Sequence, residues 1–481
     1  MATLRLDPND DSPLYAQVAR GLETLVDRGT FRPGDRLPSI RALARQLGVG
    51  VNTVREAYAL MEDRGVVEAR PQSGFYVRPR LPEPLVESRV PDASLRPRPV
   101  DVRGIAERVM HDIADPALVQ LGATVPDPDL LPVERLNRMT ASALRRRGRE
   151  CVAYTLPPGW AALRAEIAKR LVASGCAVSP DEIVITNGCV EAVVLALEAV
   201  CRPGDTVAVE SPTYYTFLQI LQEMGLNVLE VPATPRVGLS LEALELALDR
   251  TPVAACLVVP NFSNPAGACM PDGRKEALVR LCARYGVPLI EDDINGDLSF
   301  REPRPRVAKA FDRDGGVLLC SSFTKTLAPG YRIGWIAPGR FRGRVERRKL
   351  LTNLATATPP QIGLAEFLAN GGYDRHLRRV RRAYADRVAR MGAALAAHFP
   401  EGTRVSRPEG GFSLWVELPE SVDSLDLYAE ALDHGITIAP GPVFTASGKF
   451  RNFVRLSAAV WTEREAAAVA TLGRLVRRLA G

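Results

Sequence analysis

The pattern of apolar residues differs between the N-terminal region of the chain and the remainder. Within residues 11–79 they follow helical spacing, as Leu14, Val18 and Leu22 do. From about residue 112 onward, short apolar runs of strand length alternate with stretches of helical spacing. Such alternation predicts an α/β domain with a mainly parallel sheet, and ligands of such sheets bind at the carboxyl ends of the strands.

The strands of the predicted sheet can be located from these apolar runs. They are expected at residues 183–186, 206–210, 227–231, 255–260, 287–291 and 317–320. Further strand-like runs at 412–418 and 452–458 lie between helical stretches near the C-terminus. We therefore expect a large α/β domain at about 150–370, followed by a smaller α+β lobe at about 375–481.

Two short helices joined by a glycine-containing turn are predicted near the N-terminus. Ser39 suits the N-cap of the first helix, and Asn52 or a neighbour suits the N-cap of the second. The turn at residues 48–50 contains two glycines, which is typical of a helix-turn-helix. The alternating run at 66–77 predicts a β-hairpin that would form a wing.

The charge of this N-terminal region favours a nucleic acid as partner. Residues 30–80 hold nine arginines against five acidic residues, a balance of +4. That is a modest basic footprint. Many helical pairs only pack a core, so a purely structural domain is the alternative that the pattern alone leaves open.

Residues 80–111 differ in composition from both neighbours. They have frequent prolines, charges of both signs and little periodicity. This composition is typical of an extended, semi-rigid linker. A Pro-rich ligand for another protein is the alternative, although no clean P-x-x-P array supports it.

Overall composition excludes several classes of protein. The 481 residues are 46% hydrophobic and 25% charged, a globular mix, and the formal net charge of +6 says little by itself. Eight cysteines occur without a C-x-x-C pair and there are four histidines, so no metal site is expected. The N-terminus is unlike a signal peptide and no run of about eighteen apolar residues occurs, so we expect a cytoplasmic protein with no membrane partner.

The chemistry of the chain centres on the stretch Cys320–Trp335, which reads CSSFTKTLAPGYRIGW. Lys325 follows the predicted strand at 317–320, lies among hydroxyl residues and precedes Arg332. An amine whose pKa is lowered by burial can form a Schiff base with an aldehyde, while hydroxyls and a guanidinium can hold a phosphate. Pyridoxal 5′-phosphate (PLP) carries both groups. A surface lysine beside a loop is the alternative for Lys325 considered alone.

Four further stretches end predicted strands with groups suited to the same ligand. Gly188 lets the backbone approach a phosphate at a helix N-terminus. One of the aromatic pair at 214–215 can stack on a planar ring, and Asn264 can donate to a phenolate oxygen. An acid at 291–293 can pair with a protonated pyridine nitrogen. Core packing and helix capping are the ordinary alternatives, but five such groups at strand ends favour one shared site.

Residues 11–79 contain the motifs PLY at 13–15, PGDRLPSIRALA at 33–44, LGV at 47–49 and NTVREAY at 52–58. With these motifs, this part of the chain resembles the winged helix of GntR-type bacterial regulators. The resemblance implies DNA contacts by Arg41, Asn52, Thr53 and Arg55, and contacts to phosphates or the minor groove by Ser39, Ser73 and Gly74. Val51 departs from the family pattern, in which a hydroxyl or basic residue is common at that position.

Residues 115–481 resemble the fold type I PLP enzymes of the aspartate aminotransferase family. The motifs that carry the resemblance are Y-x-x-x-x-G at 154–159, T-x-G at 186–188, P-x-Y at 212–214, N-P-x-G at 264–267, Asp292, S-F-T-K at 322–325 and V-R-L at 454–456. The resemblance implies that Lys325 binds the cofactor aldehyde covalently and that Asp292 pairs with the ring nitrogen. It also implies that Asn264 bonds the ring oxygen and that Tyr214 stacks on the ring.

The same resemblance implies the remaining parts of the site. The residues expected to hold the cofactor phosphate are Gly188, Cys189, Ser322 and Arg332. Arg455 would bind the substrate carboxylate, and Tyr154 would reach toward the phosphate of the other subunit of a dimer. Ile294 and Asn295 stand where this family usually has a tyrosine that bonds the ring oxygen. Weak transamination is the expected consequence.

A GntR-type winged helix, a Pro-rich linker and an aminotransferase-like domain in one chain resemble the MocR family of bacterial regulators. The predicted fold is therefore multidomain, with an α+β winged helix at 11–79, a linker at 80–111 and an α/β PLP-binding domain at 112–481. Two functions remain open. The first is a DNA-binding transcription regulator that senses PLP, an amino acid or an amine, with a homodimer and a double-stranded operator of two half-sites as implied partners. The second is an aminotransferase.

Overall fold

The structure, a computed structural model, divides the chain into two compact units, Met1–Glu83 and Pro84–Gly481, which are described separately. The residues it describes are 10, 12–27, 30–31, 35–64, 66–70, 73–77, 86–89, 95–100, 103–113 and 115–481. Parts of the predicted winged helix and of the predicted linker, including residues 78–85 and 90–94, lie outside these ranges. Among the described residues, no helix is both long and apolar enough to cross a membrane.

The described residues of the first unit form three helices and a two-stranded sheet. Their bounds are α1 Leu14–Asp27, α2 Ile40–Leu47, α3 Val51–Asp63, β1 Val67–Arg70 and β2 Gly74–Val77. Val18 and Leu22 of α1 are buried against Val54 and Tyr58 of α3, so the helical spacing seen in the sequence forms one core. The strands pair antiparallel with Val67 opposite Val77, which confirms the predicted hairpin.

The start of each helix in the helix-turn-helix is fixed differently. The Ser39 hydroxyl accepts a hydrogen bond from the Ala42 amide at 3.2 Å, which confirms Ser39 as the N-cap of α2. The prediction that Asn52 or a neighbour caps α3 is wrong, because Gly50 occupies the cap and no side chain bonds there. Asn52 lies instead in the first turn with its side chain exposed, which leaves it free to face a ligand.

The second unit has thirteen helices and fourteen strands among its described residues. The helices are α4 Arg103–Ile113, α5 Val133–Arg146, α6 Gly148–Val152, α7 Ala161–Ala173, α8 Cys189–Val200, α9 Tyr215–Glu223, α10 Leu241–Arg250, α11 Asp272–Arg284, α12 Arg342–Asn353, α13 Thr358–Ala369, α14 Gly372–His398, α15 Ser424–Asp433 and α16 Glu463–Ala480. The strands are β3 Val119–Gln120, β4 Val184–Thr186, β5 Thr206–Ser211, β6 Asn227–Thr234, β7 Gly238–Leu239, β8 Ala255–Val258, β9 Leu289–Asp292, β10 Val317–Ser322, β11 Gly334–Ala337, β12 Arg404–Val405, β13 Ser413–Glu417, β14 Ile436–Thr437, β15 Ala439–Pro440 and β16 Phe453–Ser457.

Eight of these strands form the main sheet, in the order β4-β11-β10-β9-β8-β5-β6-β7. The sheet is parallel except at β11 and β7, which pair antiparallel with their neighbours, so the predicted mainly parallel sheet is confirmed. Helices cover both faces: Val193 of α8 lies in one core with Ile290, and Leu278 of α11 lies in another with Val258. All four residues of β9 are buried, instead of every second one, because helices cover both faces of the sheet.

A four-stranded sheet in the order β12-β13-β16-β15 forms the centre of the smaller lobe. The N-terminal segment of this unit packs on the same lobe, because Ala106 and Val109 of α4 share a core with Leu414. β3 pairs parallel with β14, with Val119 opposite Ile436. The end of the stretch expected to be an extended linker is therefore helical, since its prolines stop before α4 begins.

Candidate cofactor site and candidate DNA-binding surface

A cavity of about 320 Å³ opens at the carboxyl ends of the main-sheet strands. Six residues predicted from the sequence line it: Cys189, Tyr214, Asn264, Asp292, Lys325 and Arg332. Ten further residues complete the wall: Met110, Thr124, Val190, Phe217, Val259, Ile294, Asn295, Thr324, Phe412 and Ser413. The structure thus brings together side chains from strand ends that are more than a hundred positions apart in sequence.

Lys325 lies just past the end of β10, and its Nζ donates a hydrogen bond to the Thr124 carbonyl at 2.5 Å. Burial lowers the pKa of Lys325 to about 8, and the nearby Arg455 charge adds to this effect while Asp292 opposes it. A lysine with such a pKa is a neutral nucleophile over a useful part of the physiological pH range. Lys325 is therefore suited to attack an aldehyde.

Asp292 ends β9 on the floor of the cavity and is 5% exposed. Its Oδ1 accepts hydrogen bonds from the Ile294 amide at 2.8 Å and from Cys189 Sγ at 3.3 Å. Burial raises the pKa of Asp292 to about 6. Within the described residues no arginine or lysine forms an ion pair with this carboxylate, so a protonated ring nitrogen would supply the missing opposite charge.

The part of the site around the start of α8 is suited to a phosphate. Helix α8 begins at Cys189, directly after Gly188, whose φ of 87° lies in the left-handed region. A Cβ at position 188 would come within 2.5 Å of Arg332 Nη2, so glycine leaves the space in which that guanidinium lies. The buried Ser322 hydroxyl accepts from the Thr324 amide at 3.2 Å. Helix-terminal amides, hydroxyls and a guanidinium are the donors that phosphates prefer.

Arg455, in β16, lies fully buried beside the cavity rather than in its wall. Its Nη1 donates to Asn264 Oδ1 at 2.9 Å, and its Nη2 donates to the Gly122 carbonyl. Arg455 Nε has no hydrogen-bond partner among the described residues. Three of the five guanidinium N–H donors are thus not used in these two bonds, and the predicted role in binding a carboxylate stays a prediction.

The two tyrosines predicted for the site lie in different surroundings. The Tyr214 ring is in the cavity wall, 4.9 Å from the Tyr215 ring and 5.4 Å from Phe217, and burial raises the pKa of its hydroxyl. Tyr154 is 79% exposed and does not line the cavity. Its contact with the other subunit's phosphate stays a prediction.

The positions that lack the usual tyrosine also line the cavity. Asn295 Nδ2 donates to the Phe262 carbonyl at 2.9 Å, and Ile294 offers only an apolar surface. Sequence reasoning missed Thr124, because its contribution is a backbone carbonyl with no motif of its own. It also missed Met110, which comes from the segment classed as linker and accepts a hydrogen bond from the Tyr215 hydroxyl at 3.2 Å.

The first unit presents exposed basic residues on its helix-turn-helix. Arg41 and Arg55 are exposed, and neither forms an ion pair with a described residue. By contrast, Arg64 of the same unit pairs with Glu23 at 3.0 Å. Asn52 is exposed as well, whereas Thr53 is half-buried. This face keeps its hydrogen-bond donors available for nucleic acid.

The residues predicted to contact phosphates or the minor groove are held by contacts within the unit, unlike the exposed Arg41 and Arg55. The Ser39 hydroxyl is already the cap of α2. Ser73 Oγ lies 2.6 Å from the Tyr76 hydroxyl across the wing. Gly74 has a φ of 115°, and a Cβ there would meet Arg36 Nε at 3.1 Å, so the turn needs glycine. The DNA contacts of all seven predicted residues stay predictions.

Comparison with known proteins covers both units. The family described as bacterial regulatory proteins, gntR family, matches residues 14–77, and aminotransferase class I and II matches residues 118–471. The uncharacterized HTH-type transcriptional regulator YdcR of Escherichia coli (strain K12) is 41% identical over 96% of this chain and 99% of its own length. The chain belongs to the MocR family.

A second regulator supports the same assignment, and a solved structure supports the aminotransferase fold. The uncharacterized HTH-type transcriptional regulator YjiR of Escherichia coli (strain K12) is 38% identical over 93% of this chain and 95% of its own. The crystal structure of LysN, the α-aminoadipate aminotransferase of Thermus thermophilus, has a TM-score of 0.71 and 30% identity over 77% of this MocR-family chain and 97% of its own. That structure contains N-(5′-phosphopyridoxyl)-L-leucine. PLP is therefore the cofactor of this fold. The Asp292 carboxylate, which forms no ion pair with a described residue, and the donors around Gly188 fit it.

Proposed function

We propose that this chain is a PLP-dependent, DNA-binding transcription regulator whose aminotransferase-like unit senses PLP or an amino compound. One observation supports it most strongly. The same chain carries exposed Arg41 and Arg55, without ion pairs to described residues, on a helix-turn-helix and a buried lysine, Lys325, in a cavity suited to PLP. An enzyme has no use for the first feature, whereas a ligand-responsive regulator needs both. The regulator names of YdcR and YjiR agree with this function.

The site residues have separate tasks in this proposal. When bound, PLP supplies an aldehyde that links covalently to amines and a ring that withdraws electrons. Lys325 provides the amine of the resting protein, and Asp292 keeps a proton on the ring nitrogen. The phosphate is held by Gly188, Cys189, Ser322 and Arg332.

Amino compounds would be recognised beside the cofactor. Lys325 would hold the cofactor aldehyde, and an incoming amine would compete with it; the free Lys325 amine donates to the Thr124 carbonyl. Arg455 binds the carboxylate of an amino acid as a bidentate fork, since a guanidinium matches that planar group. Asn264, which now accepts from Arg455, orients the ring oxygen and the guanidinium together.

The assembly that we propose is a homodimer on double-stranded DNA with two half-sites. Tyr154, exposed in the single chain, would complete the phosphate site of the other subunit. Two heads on one dimer require two half-sites, whose spacing is a geometric property of the complex.

Weak catalysis is expected because Ile294 and Asn295 lack the phenol that usually bonds the ring oxygen.

A working aminotransferase is the second candidate. It is favoured by the cavity itself, in which Lys325, Asp292 and Asn264 converge, and by the likeness to LysN. Absorbance scans with added amino acids distinguish the two. A regulator shifts the cofactor band without steady production of keto acid, whereas an enzyme produces keto acid with every turnover.

The proposed function is tested by recovering genomic DNA fragments with the purified chain and sequencing them. Footprints on the recovered fragments are then recorded with and without PLP and a panel of amino acids and amines. We expect protection of two repeated half-sites, with a pattern that changes when one of these compounds is added. A single unpaired half-site that ignores every compound would contradict the proposal.

A further inference from the structure

Two carboxylates behind the cofactor cavity, one buried and one partly buried, share one arginine. Arg304 Nη2 lies 2.6 Å from Asp293 Oδ2, and its Nη1 lies 2.7 Å from Asp297 Oδ1. The side chains of Arg304 and Asp293 are 10% and 4% exposed. None of the three residues lines the Lys325 cavity, so this cluster cannot touch a ligand bound there.

Asp293 connects the arginine to two parts of the cofactor site. Its Oδ1 accepts a hydrogen bond at 2.7 Å from Nδ2 of Asn261, which is fully buried and begins the loop that carries Asn264. The Asp293 carbonyl accepts from Ser321 Oγ at 3.1 Å, which ties it to β10. Asp292 is the preceding residue, so these contacts also hold the backbone from which its side chain extends.

Asp297 connects the arginine to a third part of the site. Its Oδ2 lies 3.1 Å from the Tyr373 hydroxyl, which lies 2.7 Å from Thr326 Oγ1. Thr326 directly follows Lys325. The Arg170 guanidinium covers the Tyr373 ring at 4.1 Å, which holds the ring in place.

The charge of Arg304 makes this arrangement stable. Burial would raise the pKa of Asp297, but Arg304, followed by Arg170 and Arg381, holds that pKa below its ordinary value. A guanidinium also presents its donors as a rigid planar fork, so the two carboxylates are fixed in direction as well as neutralised. A lysine would keep the charge without the fork.

We propose that Arg304 is a positioning residue for the cofactor. Through Asp293 and Asp297 it holds in one arrangement the segments that carry Asp292, Asn264 and Lys325. The inference rests on the proposed function, because it requires PLP in the Lys325 cavity. Mutation of the outer partners of metal ligands typically changes affinity by about 10–100-fold, and by analogy we expect the low end of this range for Arg304.

The test compares full-length Arg304→Lys and Arg304→Gln with wild type. Arg301→Gln is the matched control, because Arg301 is exposed and pairs only at the surface, with Glu409 at 2.7 Å. Three quantities are measured: the PLP dissociation constant, the pH midpoint of the bound-cofactor absorbance, and the melting temperature. We expect Arg304→Lys to fold, to bind PLP about tenfold more weakly and to shift the pH midpoint, and Arg301→Gln to match wild type in all three.

Arg304→Gln leaves the buried Asp293 and the partly buried Asp297 without their shared cation, so we expect its melting temperature to fall together with its PLP affinity. Arg304→Lys and Tyr373→Phe then distinguish a positioning role from a loss of stability. Both variants keep the charge balance, but the first removes the guanidinium fork and the second removes the Tyr373 hydroxyl. Wild-type PLP affinity and pH midpoint in both of these folded variants would overturn the inference. A wild-type chain that binds no PLP would instead overturn the proposed function, and with it the need for a positioning residue.

Discussion

The two units use arginine in opposite ways. In the helix-turn-helix, Arg41 and Arg55 are exposed and have no ion pair with a described residue. In the cofactor unit, Arg304 and Arg455 are buried and bonded to fixed partners. An exposed guanidinium keeps all its donors for a phosphate or a base edge, whereas a buried one orients neighbouring groups. Arg41, Arg55 and Arg455 lie in motifs that can be located in the sequence, whereas the role of Arg304 emerges only from the assembled fold.

Of the variants that test this contrast, Lys325→Ala is expected to have the largest effect, on the covalent attachment of PLP. The variant should lose covalent attachment of PLP completely, because no other amine reaches the cavity among the residues lining it. It should keep some PLP through the phosphate donors and keep wild-type DNA affinity, since the two units have separate cores. Borohydride reduction followed by peptide mapping measures the attachment. A pyridoxyl group on a different peptide of the wild type would contradict the account.

Arg455→Ala should have the next largest effect. Loss of a charged hydrogen-bonding partner costs about 1.5–3 kcal/mol, so binding of an amino acid should weaken about 10- to 150-fold. DNA affinity without the amino acid should stay at the wild-type value. Titrations with an amino acid and with the matching amine, which lacks the carboxylate, measure the effect. Equal weakening for both ligands would mean that Arg455 only packs the core.

Arg55→Ala tests the exposed side of the comparison. It should weaken binding to the recovered DNA by about 1–3 kcal/mol for each base that Arg55 reads, without changing the cofactor spectrum. Arg64→Ala is the control, because Arg64 is similarly exposed but already paired with Glu23. The measurement is a binding titration at two or more salt concentrations. If both variants weakened binding equally, Arg55 would act through its positive charge alone and not through a base contact made by α3.

The pH dependence of PLP attachment gives a smaller effect. Burial lowers the pKa of Lys325 to about 8 from the ordinary 10.5, so the neutral amine fraction rises between about pH 7 and pH 9. The rate of covalent attachment should rise about tenfold over that interval and then level off, because only the neutral amine is a nucleophile. Stopped-flow absorbance measures the rate. A rate that keeps rising tenfold per unit above pH 9 would mean that Lys325 titrates like a surface lysine.

The smallest effect is expected at the arginine-rich helix α14. Neutralising Arg379 and Arg382 should change DNA affinity by less than about twofold. Arg379 Nη2 already donates to the Leu130 carbonyl at 2.5 Å, and neighbouring Arg381 bonds the Asp297 carbonyl at 2.7 Å. These contacts tie α14 to its own unit. A tenfold loss, about 1.4 kcal/mol, together with a changed salt slope would make α14 a second DNA contact.

The main-sheet strands and the lysine were predictable because their signals are local. A buried parallel strand is a continuous apolar run, and Lys325 follows one directly. The contribution of α4 and β3 to the smaller lobe was not predictable. β3 pairs with β14, more than three hundred positions away, and two-residue strands leave no periodicity. The Arg304 contacts were hidden for a similar reason, since nothing in sequence separates one buried arginine from the other 61 basic residues of the chain.

Coupling of the two units is the central claim, and one measurement tests it most directly. The affinity for a recovered two-half-site DNA is measured by fluorescence anisotropy with PLP, with and without the amino compound that shifts the cofactor band. The comparison is between wild type and Lys325→Ala. We predict that the compound changes the affinity or stoichiometry of wild type and leaves Lys325→Ala unchanged. Steady keto-acid production by a wild type whose DNA binding ignores the compound would contradict the claim.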